Sequence, residues 1–168
     1  MKRLNWSWIN LSKASLFLIL PILFLIIGLM VTSEMGYYYL YSSDPEYAFL
    51  LNGLNFLNFH FPHVVMGPAT PLHAYCAVVT GIVYLFRGGS SLNVDVLQNQ
   101  DLYLHYINLS LIIVTVISLF LLGYLVYKSQ NKDIFSGLFV QLTVFSSWLI
   151  YDLMRRIMVE NLEIIGML

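Results

Sequence analysis

The stretch that decides the fold is residues 106–127, YINLSLIIVTVISLFLLGYLVY, a run without a single charged residue. An α-helix rises about 1.5 Å per residue, so about 20 apolar residues cross the hydrocarbon core of a bilayer. Tyr106 lies at one end of the run, and Tyr124 and Tyr127 lie at the other, where interfacial aromatic residues are expected. The pattern predicts a membrane span over residues 105–127.

Two more apolar runs lie on either side of this one. Residues 14–33 are almost wholly apolar and contain Pro21, which neighbouring helices can accommodate as a kink. This run is longer than the core of a signal peptide and no small-x-small cleavage site follows it, so we predict an uncleaved span. Residues 134–154 form a third predicted span, with Trp148 at its far end. Residues 155–168 are then the start of a further segment.

The composition of the whole chain agrees with a membrane protein. Of 168 residues, 59% are hydrophobic and only 10% are charged, whereas a soluble domain carries about 25% charged residues. The mean hydropathy is +0.76. The net charge of −1 gives no electrostatic footprint for nucleic acid. The predicted fold class is an all-α integral membrane protein with three transmembrane helices and two amphipathic helices in a long first outer loop.

The charges before the first span predict the orientation. Lys2, Arg3 and Lys13 precede residue 14, and the positive-inside rule keeps such a segment in the cytosol. The loop of residues 34–104 is therefore expected on the outer side. A four-span alternative, in which residues 72–86 also cross, divides the basic residues slightly better, but that run is shorter than the about 20 residues that a span needs.

Two helices are predicted inside the outer loop, at about 45–59 and 71–86. Asp44 suits an N-cap, Pro45 the first helical position, and Glu46 the positive end of the helix dipole. Asparagines recur at every third position along the first helix, opposite an apolar stripe, which is typical of a helix on a membrane surface. A proline-rich turn separates it from the second helix.

Asp44 and Glu46 are the candidate catalytic residues. A pair of acids one residue apart can supply a general base for an acceptor hydroxyl, or ligands for a divalent cation such as Mg²⁺ or Mn²⁺. His60 and His63 are candidates for binding a phosphate or for proton transfer. The alternative interpretation is that the two acids only cap a helix and that both histidines are solvated.

The string SDPEYAFLLNGLNFLNFHFPHVV, residues 43–65, resembles a bacterial branch of the GT-C superfamily of integral-membrane glycosyltransferases. These enzymes use polyprenyl-phosphate sugars and include protein mannosyltransferases and lipid A aminoarabinose or galacturonic acid transferases. The resemblance implies a base at Asp44 or Glu46, a bacterial inner-membrane location with a cytosolic N-terminus, and membrane lipid and a polyprenyl-phosphate sugar as partners.

The resemblance also implies a second acidic residue in the next outer loop. Glu160 occupies that place and is the candidate metal ligand, together with Asp44 or Glu46. Arg155 and Arg156 are candidates for holding the lipid phosphate through charged hydrogen bonds. The alternative is that Asp152 pairs with one of these arginines one helical turn away.

This chain departs from the family pattern in two respects. The turn of residues 65–71, VMGPATP, keeps its prolines and Thr70 but lacks the polar side chains in front of them. Members of the family have about ten or more spans, so the resemblance covers only an N-terminal portion. The chain is then a truncated product, a fragment, or half of a split protein in which a second polypeptide completes the bundle. The rival hypothesis is a non-catalytic subunit that acts as an anchor or docks a partner. A channel or transporter is disfavoured, since no charge lies within residues 14–32 or 106–127.

Overall fold

The structure is a computed structural model that describes residues 15–34, 46–61, 70–89, 91–145, 154, 156 and 157. A 3-10 turn, Ser15–Leu18, leads into α1 (Ile19–Glu34), which is followed by α2 (Glu46–Leu57), α3 (Thr70–Arg87), α4 (Leu92–Gln98), α5 (Gln100–Ser129) and α6 (Ile134–Phe145). The described residues form helices and connecting turns with no strand, so the all-α prediction is confirmed for this part of the chain.

Two of the described helices are long and apolar enough to cross a membrane. They are Ser15–Ser33, which comprises the first turn with α1, and Gln100–Ser129, which is α5. Only 28% of the first and 22% of the second is buried, whereas a core helix of a soluble protein is mostly buried. Their apolar side chains therefore face outward. The third predicted span, 134–154, begins with the apolar helix α6, and residues 146–153 lie outside the described part.

Contacts along α1 and α5 show that the two helices run in opposite directions. The ring of Phe17, before α1, lies 5.2 Å from the ring of Tyr127 near the end of α5. Gly28, near the other end of α1, lies against Ile112 in the middle of α5. The connection between these helices therefore lies at the end of the molecule where α5 begins.

The α6 helix packs antiparallel to α5 through small residues and one buried amide. A Cβ atom on Gly137 would come within 2.7 Å of the Gly123 carbonyl oxygen, so the two backbones lie very close, as small residues allow in membrane helices. The Gln141 Nε2 donates to the carbonyl oxygens of Phe17, at 3.0 Å, and Leu119, at 2.9 Å. One side chain therefore joins α6 to α5 and to the turn before α1.

The remaining helices form a layer at the end of the molecule where α5 begins, which we call the cap: α2, α3, α4 and the first half of α5. Its apolar core contains Phe49, Leu50, Leu54, Leu72, Cys76, Val96, Tyr103, Leu104, Ile107, Leu111 and Ile157. Because these side chains come from distant parts of the sequence, burial of apolar surface joins α2, α3 and α4 to α5.

The pair α2 and α3 is parallel, and α3 is antiparallel to α5. The ring of Phe49 lies 5.6 Å from that of His73, and further along both helices Gly81 lies against Leu57. Tyr75 donates to the Ser110 Oγ at 2.8 Å. A parallel pair requires the chain to return to the starting end of the pair between Leu57 and Thr70.

The sequence predicted the range 92–104 as part of the outer loop, but the structure contains α4 there and begins α5 at Gln100. A polar stretch can be helical when its polar groups have partners, and here Asp95 is buried with several of them.

Candidate functional site

Glu46 is the predicted catalytic residue that the structure describes, and it is the first residue of α2. Its side chain is 2% exposed and lies on the same helix face as Leu50 and Gly53, which are also buried. The carboxyl group is therefore inside the cap, whereas the sequence interpretation placed it at an open water layer. Asp44 lies outside the described residues.

The other predicted site residues fall into two groups. His60, just after α2, and Arg156 are exposed. His63, Arg155 and Glu160 lie outside the described residues, so the predicted phosphate and metal contacts of these three stay predictions.

The structure brings the segment around Arg156 to the same end of the molecule as Glu46. Ile157 is buried in the cap core with Phe49 and Leu50 of α2. The main-chain oxygen of Met154 accepts a hydrogen bond of 3.2 Å from the Asn108 side chain. The first loop helix and Ile157, after the third predicted span, therefore both belong to the cap.

A buried polar pair that the sequence analysis did not single out links α2 and α3. The Asn52 Nδ2 lies 3.3 Å from the His73 Nε2, and both side chains are buried. Within the described residues the His73 Nδ1 has no hydrogen-bond partner. Burial lowers the pKa of His73 below its ordinary value, since a charged ring would be poorly solvated there.

Both residues belong to patterns that are visible in the sequence, but these patterns predicted other roles for them. Asn52 belongs to the asparagine repeat of α2, which predicted a solvated stripe, and His73 only interrupted an apolar run. An asparagine and a histidine on two helices identify each other only when the pairing of the helices is known.

A second buried polar cluster joins the end of α3 to α4 and α5. The Asp95 carboxylate receives hydrogen bonds from the Tyr103 hydroxyl, from the Asn99 side chain at 3.1 Å, and from the Arg87 Nη2 at 3.4 Å. The Arg87 Nε lies 3.3 Å from the second carboxylate oxygen. Tyr103 is the main cause of a lowered pKa at Asp95, with Arg87 and Asn99 adding to it. Such donors stabilise the ionised carboxylate, so this acid is suited to holding the cap together.

A tyrosine hydroxyl also connects α2 to the start of α5. Tyr47, next to Glu46, donates to the Asp101 Oδ1 at 2.9 Å. Together with the bond from Tyr75 to Ser110, it fixes the orientation of both loop helices relative to the long helix. The position of Glu46 is therefore set by tertiary contacts as well as by its place at the helix start.

No group of three or more His, Cys, Asp or Glu side chains that could hold a metal ion occurs among the residues that the structure describes. Two of the predicted ligands, Asp44 and Glu160, are outside that part of the chain. Comparisons with protein families, with curated proteins and with solved structures find no match to this chain.

Proposed function

We propose that the chain is an integral membrane protein in which α1, α5 and the segment from Ile134 cross the bilayer. The cap lies at the outer surface, and the part of it beside residues 107–114 of α5 lies within the bilayer. The apolar outward faces of α1 and α5 support this proposal, since little of either helix is buried. Hydrocarbon around these two helices would remove that apolar surface from water. The localisation proposed is the bacterial inner membrane, with the N-terminus in the cytosol.

The function that we propose is glycosyl transfer from a polyprenyl-phosphate sugar to a hydroxyl acceptor, with this chain as the N-terminal portion of the enzyme. It is supported by the resemblance of residues 43–65 and, above all, by one observation: Ile157, next to Arg156, is buried in the same core as Phe49 and Leu50 of α2, the helix that begins at Glu46. A lipid-linked donor needs a base and phosphate-binding groups on the same side of a membrane.

The proposed reaction is an inverting displacement. Asp44 or Glu46 takes the proton of the acceptor hydroxyl, and the acceptor oxygen forms a bond to the anomeric carbon. The bond from that carbon to the phosphate oxygen breaks, and polyprenyl phosphate leaves with the electron pair. Arg155 and Arg156 would hold the phosphate as its charge increases. A divalent cation at Glu160 is a further prediction.

The second candidate function is a non-catalytic subunit that anchors or docks a partner. The burial of Glu46 favours this function, because a side chain enclosed within the cap has a structural role without any substrate. In this hypothesis the other polypeptide carries the chemistry.

Membranes of cells that produce the chain with its native partners can test the proposed base. The donor is polyprenyl phosphate carrying ¹⁴C-mannose or aminoarabinose, and the measurements are labelled acceptor and released polyprenyl phosphate. Loss of a general base should lower the rate by about 10²–10⁴-fold in Glu46→Gln or in Asp44→Asn. Immunoblotting checks that each variant is present at the wild-type level.

Asp133→Asn is the matched control, since it removes an acid at the opposite end of the bundle. Asp133 accepts hydrogen bonds from the main-chain nitrogens of Phe135 and Ser136, and asparagine can replace it as an N-cap. Its transfer rate should equal that of the wild type. Unchanged transfer in both Asp44→Asn and Glu46→Gln would refute the base, and no transfer above control membranes would favour the subunit.

A further inference from the structure

One edge of the cap leaves large apolar side chains uncovered. Leu85 and Phe86, in the last turn of α3, are 81% and 88% exposed, and Phe59, just after α2, is 98% exposed. The end of α2 at Leu57 lies beside Gly81 of α3, about two turns before α3 ends at Arg87, so the two helices end on the same side of the cap. We call this edge the apolar rim, and its exposed members are Phe59, Phe61, Ile82, Leu85 and Phe86.

The backbone of Phe59 also has an unusual conformation. Phe59 has a φ of 58°, a left-handed conformation that L-residues other than glycine and asparagine rarely adopt. It occupies the position after a helix end where glycine is usual, since His60 N donates to Asn55 O at 2.8 Å. The left-handed turn directs the chain away from α2, and the 98% exposure of the Phe59 side chain is explained most simply by an apolar phase around it.

Arg87 follows directly after Phe86 and presents a cation at the rim. Asp95 engages its Nε and Nη2, and the side chain is still 35% exposed. A guanidinium has five N–H donors in a rigid plane, so donors remain for a second anion. Asp95 itself is buried and is also bonded by Asn99 and Tyr103, so the ion pair fixes the guanidinium in place.

The level of Arg87 along the α5 axis corresponds to the headgroup layer of a bilayer. Tyr103 bonds the same Asp95 carboxylate and lies four residues before Ile107, which is about 6 Å along the helix axis. The headgroup layer adds about 5–7 Å on each side of the hydrocarbon core. With the apolar run of α5 in hydrocarbon, Arg87 is level with lipid phosphates.

From these observations we infer that Arg87 and the apolar rim form a binding site for a phospholipid with an anionic phosphate. The guanidinium donates to the phosphate oxygens, while Leu85 and Phe86 contact the acyl chains. A free phosphate is a poorer occupant, because Asp95 offsets most of the charge of Arg87 and the remaining affinity has to come from apolar contact. The inference depends on the proposed membrane location but not on glycosyl transfer.

The test is titration of the detergent-solubilised full chain with dioleoyl phosphatidic acid, followed by native mass spectrometry. Dioleoylglycerol, which has the same chains without the phosphate, is the comparison ligand. Loss of hydrogen bonds to a charged phosphate weakens binding by about tenfold or more. Arg87→Gln should therefore reduce the affinity for phosphatidic acid to that for dioleoylglycerol. Phe86→Ala should lower the affinity for both ligands.

Two control variants separate binding from structural support. Asp95→Asn removes the charge that offsets Arg87 but keeps an amide oxygen that can accept a hydrogen bond from the guanidinium, so it should bind phosphatidic acid at least as tightly as the wild type. Lys128→Gln removes an exposed cation at the other end of α5 and should leave the affinity unchanged. Equal losses in Arg87→Gln and Asp95→Asn would overturn the inference, since they would show that Arg87 acts only through the ion pair.

Two results with the wild type would also overturn it. Equal affinity for dioleoylglycerol and phosphatidic acid would remove the role of the phosphate, and displacement of phosphatidic acid by equimolar inorganic phosphate would remove the role of the acyl chains. Glu46→Gln should bind phosphatidic acid like the wild type, so loss of transfer in that variant and loss of lipid binding in Arg87→Gln are independent outcomes.

Discussion

At the scale of single residues, His73 shows how burial in the cap changes the pKa of a titratable group. Its ring is buried against α2, with Asn52 at its Nε2. Since burial lowers the pKa of His73 in the folded protein, the unfolded chain binds a proton at this residue at a higher pH than the folded one does. The contribution of the neutral ring to stability is therefore complete above about pH 6.5, the unfolded value, and is lost as the pH falls below it.

His73→Gln should reduce the dependence of stability on pH. Glutamine can keep a hydrogen bond to Asn52 but does not titrate. Between pH 7.5 and pH 5.0 the midpoint of thermal unfolding, followed by circular dichroism in detergent, should fall by less in this variant than in the wild type. His60→Gln is the control, because His60 is exposed and its replacement should leave the wild-type fall unchanged. An equal fall in all three proteins would contradict the prediction.

At the scale of the helices, the contact between α2 and α3 depends on a glycine. A Cβ atom on Gly53 would meet both the main-chain nitrogen of Ala77 and the Cβ of Cys76 at 2.9 Å. These distances are shorter than van der Waals contact, and one of the atoms belongs to the backbone. The two helices would have to separate, and the buried pair of Asn52 and His73 would separate with them.

Gly53→Ala should therefore destabilise the cap by about 1–3 kcal/mol, as overpacking does. Cys76 provides the measurement, because its thiol is buried and burial raises its pKa to about 12, which makes it unreactive while the cap is folded. The rate of maleimide labelling at Cys76 should increase in the variant.

Gly81→Ala is the matched control on α3. A Cβ atom there would lie 3.4 Å from the Leu57 Cδ2, which is ordinary contact, and alanine is the better helix former. Labelling of Cys76 should be no faster than in the wild type. Similar labelling in Gly53→Ala and Gly81→Ala would show that the close approach at Gly53 is not needed.

Whether a feature could be predicted from the sequence depends on how far apart in the chain the interacting residues lie. The apolar runs that became α1 and α5, and the start of α2 after Asp44 and Pro45, depend on neighbours in sequence and were predicted. The burial of Glu46 and of Asp95 depends on helices that come later in the chain, so the local sequence around each residue could not show it. The location of Asp44, His63, Arg155 and Glu160 stays a prediction.

At the scale of the whole molecule, the chain crosses from one end to the other more than once. The turn before α1 and the end of α5 meet at Phe17 and Tyr127, while Met154 is beside Asn108 in the first half of α5. Gly137 is opposite Gly123, so between Gly137 and Met154 the chain passes from the far end of α5 to the cap. The positions of Gly137 and Met154 agree with the third span that we propose.

Cysteine accessibility in intact cells should place the two ends on opposite sides of the membrane. In a Cys76→Ala background, Arg156→Cys should react with a membrane-impermeant maleimide added outside. Gln130→Cys, at the end of α5, should react only after permeabilisation. Labelling of both from the same side would contradict the membrane arrangement, and the reverse pattern would contradict the cytosolic N-terminus alone.

Ile157 has a consequence for the order in which the protein is made. This side chain is buried in the same core as Phe49 and Leu50, more than a hundred positions earlier in the chain. The ribosome releases α2 and α3 long before it reaches codon 157, so the core that these helices form lacks the Ile157 side chain until that codon has been translated. In the membrane arrangement that we propose, insertion of α1 and α5 would precede the last step of folding, in which Ile157 completes a core that the earlier helices began.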